Sequence, residues 1–128
     1  MHAGRVLSVG QCGYDHAQIV RHLGRHFGME VIAAHSHEQA LESLRAGAYD
    51  LVLVNRVGDR DGAPGIELIR RLKADPETTS VPVMLVSNYA DAQNEAVALG
   101  ALPGFGKSDL GRGRIAALER ALAEPASE

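Results

Sequence analysis

Apolar residues fall into two kinds of run along this chain. Short continuous runs alternate with longer stretches in which apolar positions return every three or four residues. The short runs are Arg5-Val6-Leu7-Ser8-Val9 and residues 29–34, 50–54, 81–86 and 101–106. Continuous apolar character, rather than strict alternation, predicts strands covered on both faces, as in a parallel sheet. Pro82 stands near the start of the fourth run, where a missing backbone donor is tolerated. The fifth run is weak by propensity and is placed mainly by its surroundings.

The longer stretches have helical spacing. Ile19, Val20, Leu23 and Phe27 form one stripe, and Gly28 supplies a stop. Ser36 followed by Gln39 is a capping-box pattern ahead of Ala40, Leu41 and Leu44, with Gly47 as the terminal signal. Ile66, Ile69 and Leu72 form a third stripe, closed by Asp75-Pro76. Asp91 is positioned to cap a fourth helix carrying Val97 and Leu99, closed by Gly100. Ile115, Leu118 and Leu122 mark a fifth. The order (βα)₅, with right-handed crossovers, predicts a doubly wound α/β fold with a five-stranded parallel sheet of flavodoxin-like order 2-1-3-4-5. One domain over residues 1–122 is expected, with 123–128 as a tail or the start of a linker.

Composition narrows the function classes. The 128 residues are 45% hydrophobic and 23% charged, ordinary values for a globular domain. Thirteen Lys and Arg against sixteen Asp and Glu give a net charge of -3, without the basic footprint of a nucleic-acid-binding domain. Trp is absent, and Tyr14, Tyr49, Tyr89, Phe27 and Phe105 are too few for base-stacking platforms. Cys12 is the only cysteine, which excludes a disulfide framework and a Cys-rich zinc site. No apolar run approaches the ~20 residues that span a bilayer, and the first residues carry no signal-peptide core. A soluble cytoplasmic domain is expected, with no membrane partner.

Five stretches in order resemble the receiver domain of bacterial two-component response regulators. They are Tyr49-Asp50-Leu51-Val52-Leu53-Val54, residues 65–76, Val81-Pro82-Val83-Met84-Leu85-Val86-Ser87, Ala98-Leu99-Gly100-Ala101, and Lys107 ahead of the last helix. The likeness runs from Arg5 to about Leu122. It implies a phosphorelay pocket at the carboxyl edge of the sheet, where acids hold Mg²⁺ and one takes a phosphoryl group. The metal offsets the repulsion between those oxygens and the incoming group.

The chain departs from that pattern at the acids. Gly10 and Gln11 match the acid pair, and Asn55 matches the phosphoacceptor; none supplies an anionic ligand. Ser87 matches the switch hydroxyl and Lys107 the phosphate-binding lysine. Gly104 stands where the family commonly carries its aromatic switch, and Ser108 where it commonly has Pro. The resemblance therefore implies a pseudo-receiver: a non-enzymatic signalling module that acts by protein–protein interaction without phosphorylation. It implies a protein partner on the face of the fourth helix, fifth strand and fifth helix, and is compatible with a homodimer. One alternative is a receiver-like domain that still accepts a phosphoryl group or binds a small ligand at the same edge. Asp59 and Asp61 would then be displaced acids, although Asp-x-Asp-Gly between glycines also reads as a polar turn.

A second alternative is a ligand-binding flavodoxin-like domain unrelated to signalling. Residues 10–15 are similar to a Gly-Gln-x-Gly-x-Asp stretch in the cobalamin-binding domain of some mutases. That family's axial-ligand motif falls on Cys12, Tyr14 and Ala17, so the ligand is missing and no cofactor is expected. The dinucleotide fingerprint also fails. His22 and His26 share a helix face at i, i+4 beside Arg21 and Arg25, which reads as a solvated face with no third ligand for a metal. No catalytic triad or Cys-His pair is identifiable.

Overall fold

The computed structural model describes residues 4–122. Five short strands form one parallel sheet: β1 (Arg5–Val9), β2 (Glu30–Ala34), β3 (Leu51–Asn55), β4 (Val83–Val86) and β5 (Leu102–Phe105). Their order is β2-β1-β3-β4-β5, as the apolar runs predict. Between them lie α1 (Gly13–Phe27), α2 (His37–Ala46), α3 (Gly65–Ala74) and α4 (Ala90–Ala98); α5 (Ala116–Leu122) follows β5. The expected tail, 123–128, lies outside the described residues.

β3 explains the centre of the sheet, because all five of its residues are buried. Val52 and Val54 turn to one face, where Leu7, Val83 and Leu85 meet Leu41, Leu68, Ile69 and Leu72 of α2 and α3. Leu51 and Leu53 turn to the other, where Val6, Met84 and Val86 meet Ile19 and Leu23 of α1 and Leu118 of α5. Alternate side chains of one strand thus feed two cores, which is why the strands read as unbroken apolar runs. β5, at the edge, buries only Phe105 fully, which accounts for its weak signal.

Helix ends follow local chemistry, with three departures from expectation. Ser36 Oγ accepts from the Gln39 N–H at 3.1 Å, but Gln39 Oε1 accepts from His35 rather than from Ser36, so the box closes one residue early. Asp91 does not cap α4. Tyr89 holds that position and Asp91 lies in the first turn, where a carboxylate still favours the helix dipole. His22 is not on a solvated face: it is 6% exposed. Among the described residues no helix is long and apolar enough to cross a membrane.

Candidate functional site

The carboxyl ends of β1, β3, β4 and β5 meet at one edge, the place where open α/β sheets bind ligands. The structure brings Asn55, Ser87 and Lys107 together there. With Arg56, Asn88 and Tyr89 they line an open cleft of about 320 Å³. Asn55 ends β3 and is buried. Its Nδ2 donates to Gly10 O at 3.0 Å and to Val57 O at 2.7 Å. Both amide protons are therefore committed to backbone carbonyls, and the side chain ties the β1–α1 turn to the β3–α3 loop.

Gly10 makes that turn with φ +75, a left-handed conformation that suits glycine. A Cβ there would lie 3.1 Å from Gly58 Cα. The carbonyl of Gly10 also accepts from the Asp59 N–H at 2.9 Å, so the two loops are joined by backbone as well. Gln11 is buried, and both its amide nitrogen and its amide oxygen lack a hydrogen-bond partner among the described residues.

Asp59 and Asp61 belong to the loop and are exposed. Asp61 Oδ1 accepts from the Ala63 N–H at 3.0 Å, an Asx turn. No group of three or more His, Cys, Asp and Glu among the described residues is arranged to hold a metal ion. The acid that does reach Lys107 is Asp15, in the first turn of α1, with Nζ to Oδ2 at 2.9 Å. Sequence reasoning passed over Asp15. Its only signal is an acid five residues past the Gly10 turn, at a helix start where carboxylates are common. Lys107, the match to the phosphate-binding lysine, thus has a carboxylate partner, a stronger one for an ammonium than a neutral amide or carbonyl oxygen.

Ser87 accepts through Oγ from the Tyr89 N–H at 3.1 Å, and so fixes the entry to α4. Beside it, β5 carries an extra residue relative to β4 between the pairs Met84↔Leu102 and Val86↔Phe105. Gln93 of α4 fills the resulting gap. Its Nε2 donates to Leu85 O at 2.8 Å and to Ser87 O at 3.1 Å, while its Oε1 accepts from the Gly104 N–H at 3.1 Å. A Cβ on Gly104 would overlap the Leu85 carbonyl oxygen. That position has no room for any side chain. Arg56 stacks over the Tyr89 ring, 4.8 Å from its centroid, and roofs the cleft.

Cys12 caps α1, its Sγ accepting from the Asp15 N–H at 3.4 Å. His16 and His22 are both held below the ordinary imidazole value, first by burial and then by a neighbouring histidine, His35 and His26 respectively. Both favour the neutral form.

No family model matches the chain. It is 33% identical over 91 residues to the transcriptional regulatory protein ZraR of Escherichia coli K12, a match covering 69% of this chain and 20% of that protein. The match thus spans about a fifth of the length of that curated relative. Among solved structures, a putative response regulator from Chloroflexus aurantiacus superposes with a TM-score of 0.75 at 20% identity, over 96% of this chain and 100% of that one. The phosphorylated cyanobacterial phytochrome response regulator RcpA gives 0.76 at 20% identity, over 95% and 96%. The chemotaxis response regulator CheY4 of Vibrio cholerae gives 0.71 at 20%, over 94% and 100%. With its strand order and these likenesses, the chain has the fold of response-regulator receiver domains and is similar to them over most of its length.

Proposed function

We propose that this domain is a pseudo-receiver, a signalling module that works through protein contacts without being phosphorylated. The observation that carries the reading is Asn55. At the end of the central strand, where receiver chemistry needs a carboxylate, stands an amide whose protons are both engaged by carbonyls. An amide is a poor nucleophile, and the neighbouring Gly10 and Gln11 offer no anionic ligand to Mg²⁺. Lys107 is neutralised by Asp15 instead of waiting for an anion. Ser87 and Gly104 are held by Tyr89 and Gln93, so a hydroxyl pull has no side chain at position 104 to move.

A module of this kind transmits by what it binds. Val97 on α4 and Leu102 on β5 are 42% and 38% exposed, apolar positions on the face assigned to a protein partner or a second copy. Sedimentation of the purified domain distinguishes those two occupants.

The test is incubation with a small-molecule phosphodonor and Mg²⁺, read by intact mass and by backbone NMR with beryllofluoride. The expected result is an unchanged mass and unchanged resonances from Asn55 through Ser87 to Phe105. A phosphoryl group gained on an aspartate, or a tight Mg²⁺ site lost on changing Asp59 or Asp61, overturns it. The open cleft favours one second reading, a small ligand held between Arg56 and Lys107. Native mass spectrometry of the freshly purified domain tests that reading directly.

A further inference from the structure

On α1, Gln18, Arg21, His22, Arg25 and His26 recur at spacings of three and four, so they share one face of the helix. The loop carrying Gly111 and Gly113 lies against that face, and the two enclose a groove of about 140 Å³. This groove is separate from the cleft at Asn55 and shares no lining residue with it.

Its chemistry is unbalanced. His22 is 6% exposed, yet its Nε2 has no hydrogen-bond partner among the described residues. A buried polar atom in that state is costly unless something satisfies it. The His22 and His26 rings lie 4.5 Å apart, centroid to centroid. Arg21 donates to Gln18 Oε1 at 2.7 Å, and Arg25 has no ion pair among the described residues. Among the described residues no Asp or Glu lines the groove. Glu119, the acid whose charge reaches His22, is itself paired with Arg114. Burial keeps the His22 imidazole neutral, so it adds a donor without adding repulsion to the two guanidinium groups.

We propose that this groove binds a phosphoryl oxyanion, as free phosphate or as the phosphate monoester of a small molecule. Arg21 and Arg25 supply the charge, and His22 supplies the buried N–H in the tautomer protonated at Nε2. A cation is disfavoured by the two arginines, and among the described residues the histidine pair lacks a third ligand. Three donor groups lining one groove from adjacent turns suit a tetrahedral anion with several free oxygens better than a planar carboxylate with two. The volume takes one phosphate with a small substituent, not a nucleic-acid strand.

The experiment is an NMR titration of the intact domain with inorganic phosphate at constant ionic strength, repeated with a sugar phosphate and with chloride. Saturable shifts are expected at residues 18–26 and at Gly111 and Gly113, with the His22 side-chain resonances moving most. Tighter saturation by the sugar phosphate assigns the site to a monoester; equal or tighter saturation by phosphate assigns it to the free ion. Arg21→Ala and Arg25→Ala, both at exposed positions, should each weaken binding about tenfold, the loss of one charge-assisted hydrogen bond. Lys107→Ala should leave it unchanged. The proposal is overturned if no saturable shift occurs, if chloride reproduces it, or if the shifts centre on Ser87 and disappear with Lys107→Ala.

Discussion

Gln93 stands in for missing rungs of the sheet, and removing it should cost more than a half-exposed glutamine ordinarily would. Gln93→Met keeps length, approximate volume and helix propensity while deleting the amide. Three short hydrogen bonds go with it, two to Leu85 O and Ser87 O and one from the Gly104 N–H, together with a longer one to Phe105 O at 3.4 Å. At about 1 kcal/mol each, and with Gly104 left unpaired beside the extra residue of β5, the loss comes to about 2–3 kcal/mol. For a domain of this size that is a fall in Tm of roughly 10 °C. Urea denaturation followed by circular dichroism measures it, with Asn94→Ala on the exposed side of the same helix as the control. Amide exchange at Gly104 should accelerate in the variant as the local opening becomes easier. A change below about 0.5 kcal/mol, no larger than an ordinary surface substitution, would refute the claim that Gln93 holds β4 and β5 together.

Asn55→Asp should destabilise by about 2 kcal/mol at neutral pH, because a carboxylate would face the Gly10 and Val57 carbonyls where the amide donates. Calorimetry should show that loss shrinking on acidification, as the new acid protonates. A double-mutant cycle on Asp15→Asn and Lys107→Ala should give a coupling of only about 0.5 kcal/mol, since the lysine side chain is 37% exposed and water screens the pair. His16, His22 and His37 are each held below the ordinary value of 6.5, chiefly by burial. The unfolded chain therefore binds more protons below pH 6.5, so the stability these groups confer is complete above that pH and is lost as pH falls through their folded values. Urea midpoints measured between pH 7 and pH 5 should decline, and His22→Gln should flatten the slope.

The sheet was legible from sequence because each central strand serves two cores. Leu51, Val52, Leu53 and Val54 cannot alternate with polar residues when both faces are covered. β5 was the hard strand for the opposite reason: Leu102 and Pro103 face outward, so burial leaves almost no mark there. At the carboxyl edge, Asn55, Ser87 and Lys107 could be placed by their order after the strands. Their partners could not. Gln93 reads as one more polar residue on a helix, and only the extra residue in β5 makes its amide necessary. That His22 is buried, and that Gly111 and Gly113, some ninety residues away in sequence, line a groove with it, left no mark in the sequence. Helical spacing alone could have shown that residues 18, 21, 22, 25 and 26 share a face, but not that Gly111 and Gly113 complete a groove there.

The bond between Asn55 and Gly10 also bears on whether acids could be introduced at this edge. A side chain at position 10 must accept a left-handed backbone and press on Gly58 Cα. A carboxylate at position 55 must face two carbonyls. Neither change alone assembles a Mg²⁺ site, so each single substitution weakens the domain without completing a set of ligands. Two loops joined at one carbonyl thus act as a latch: the surfaces of the domain can vary freely, while the carboxyl edge resists any single substitution toward an acidic pocket.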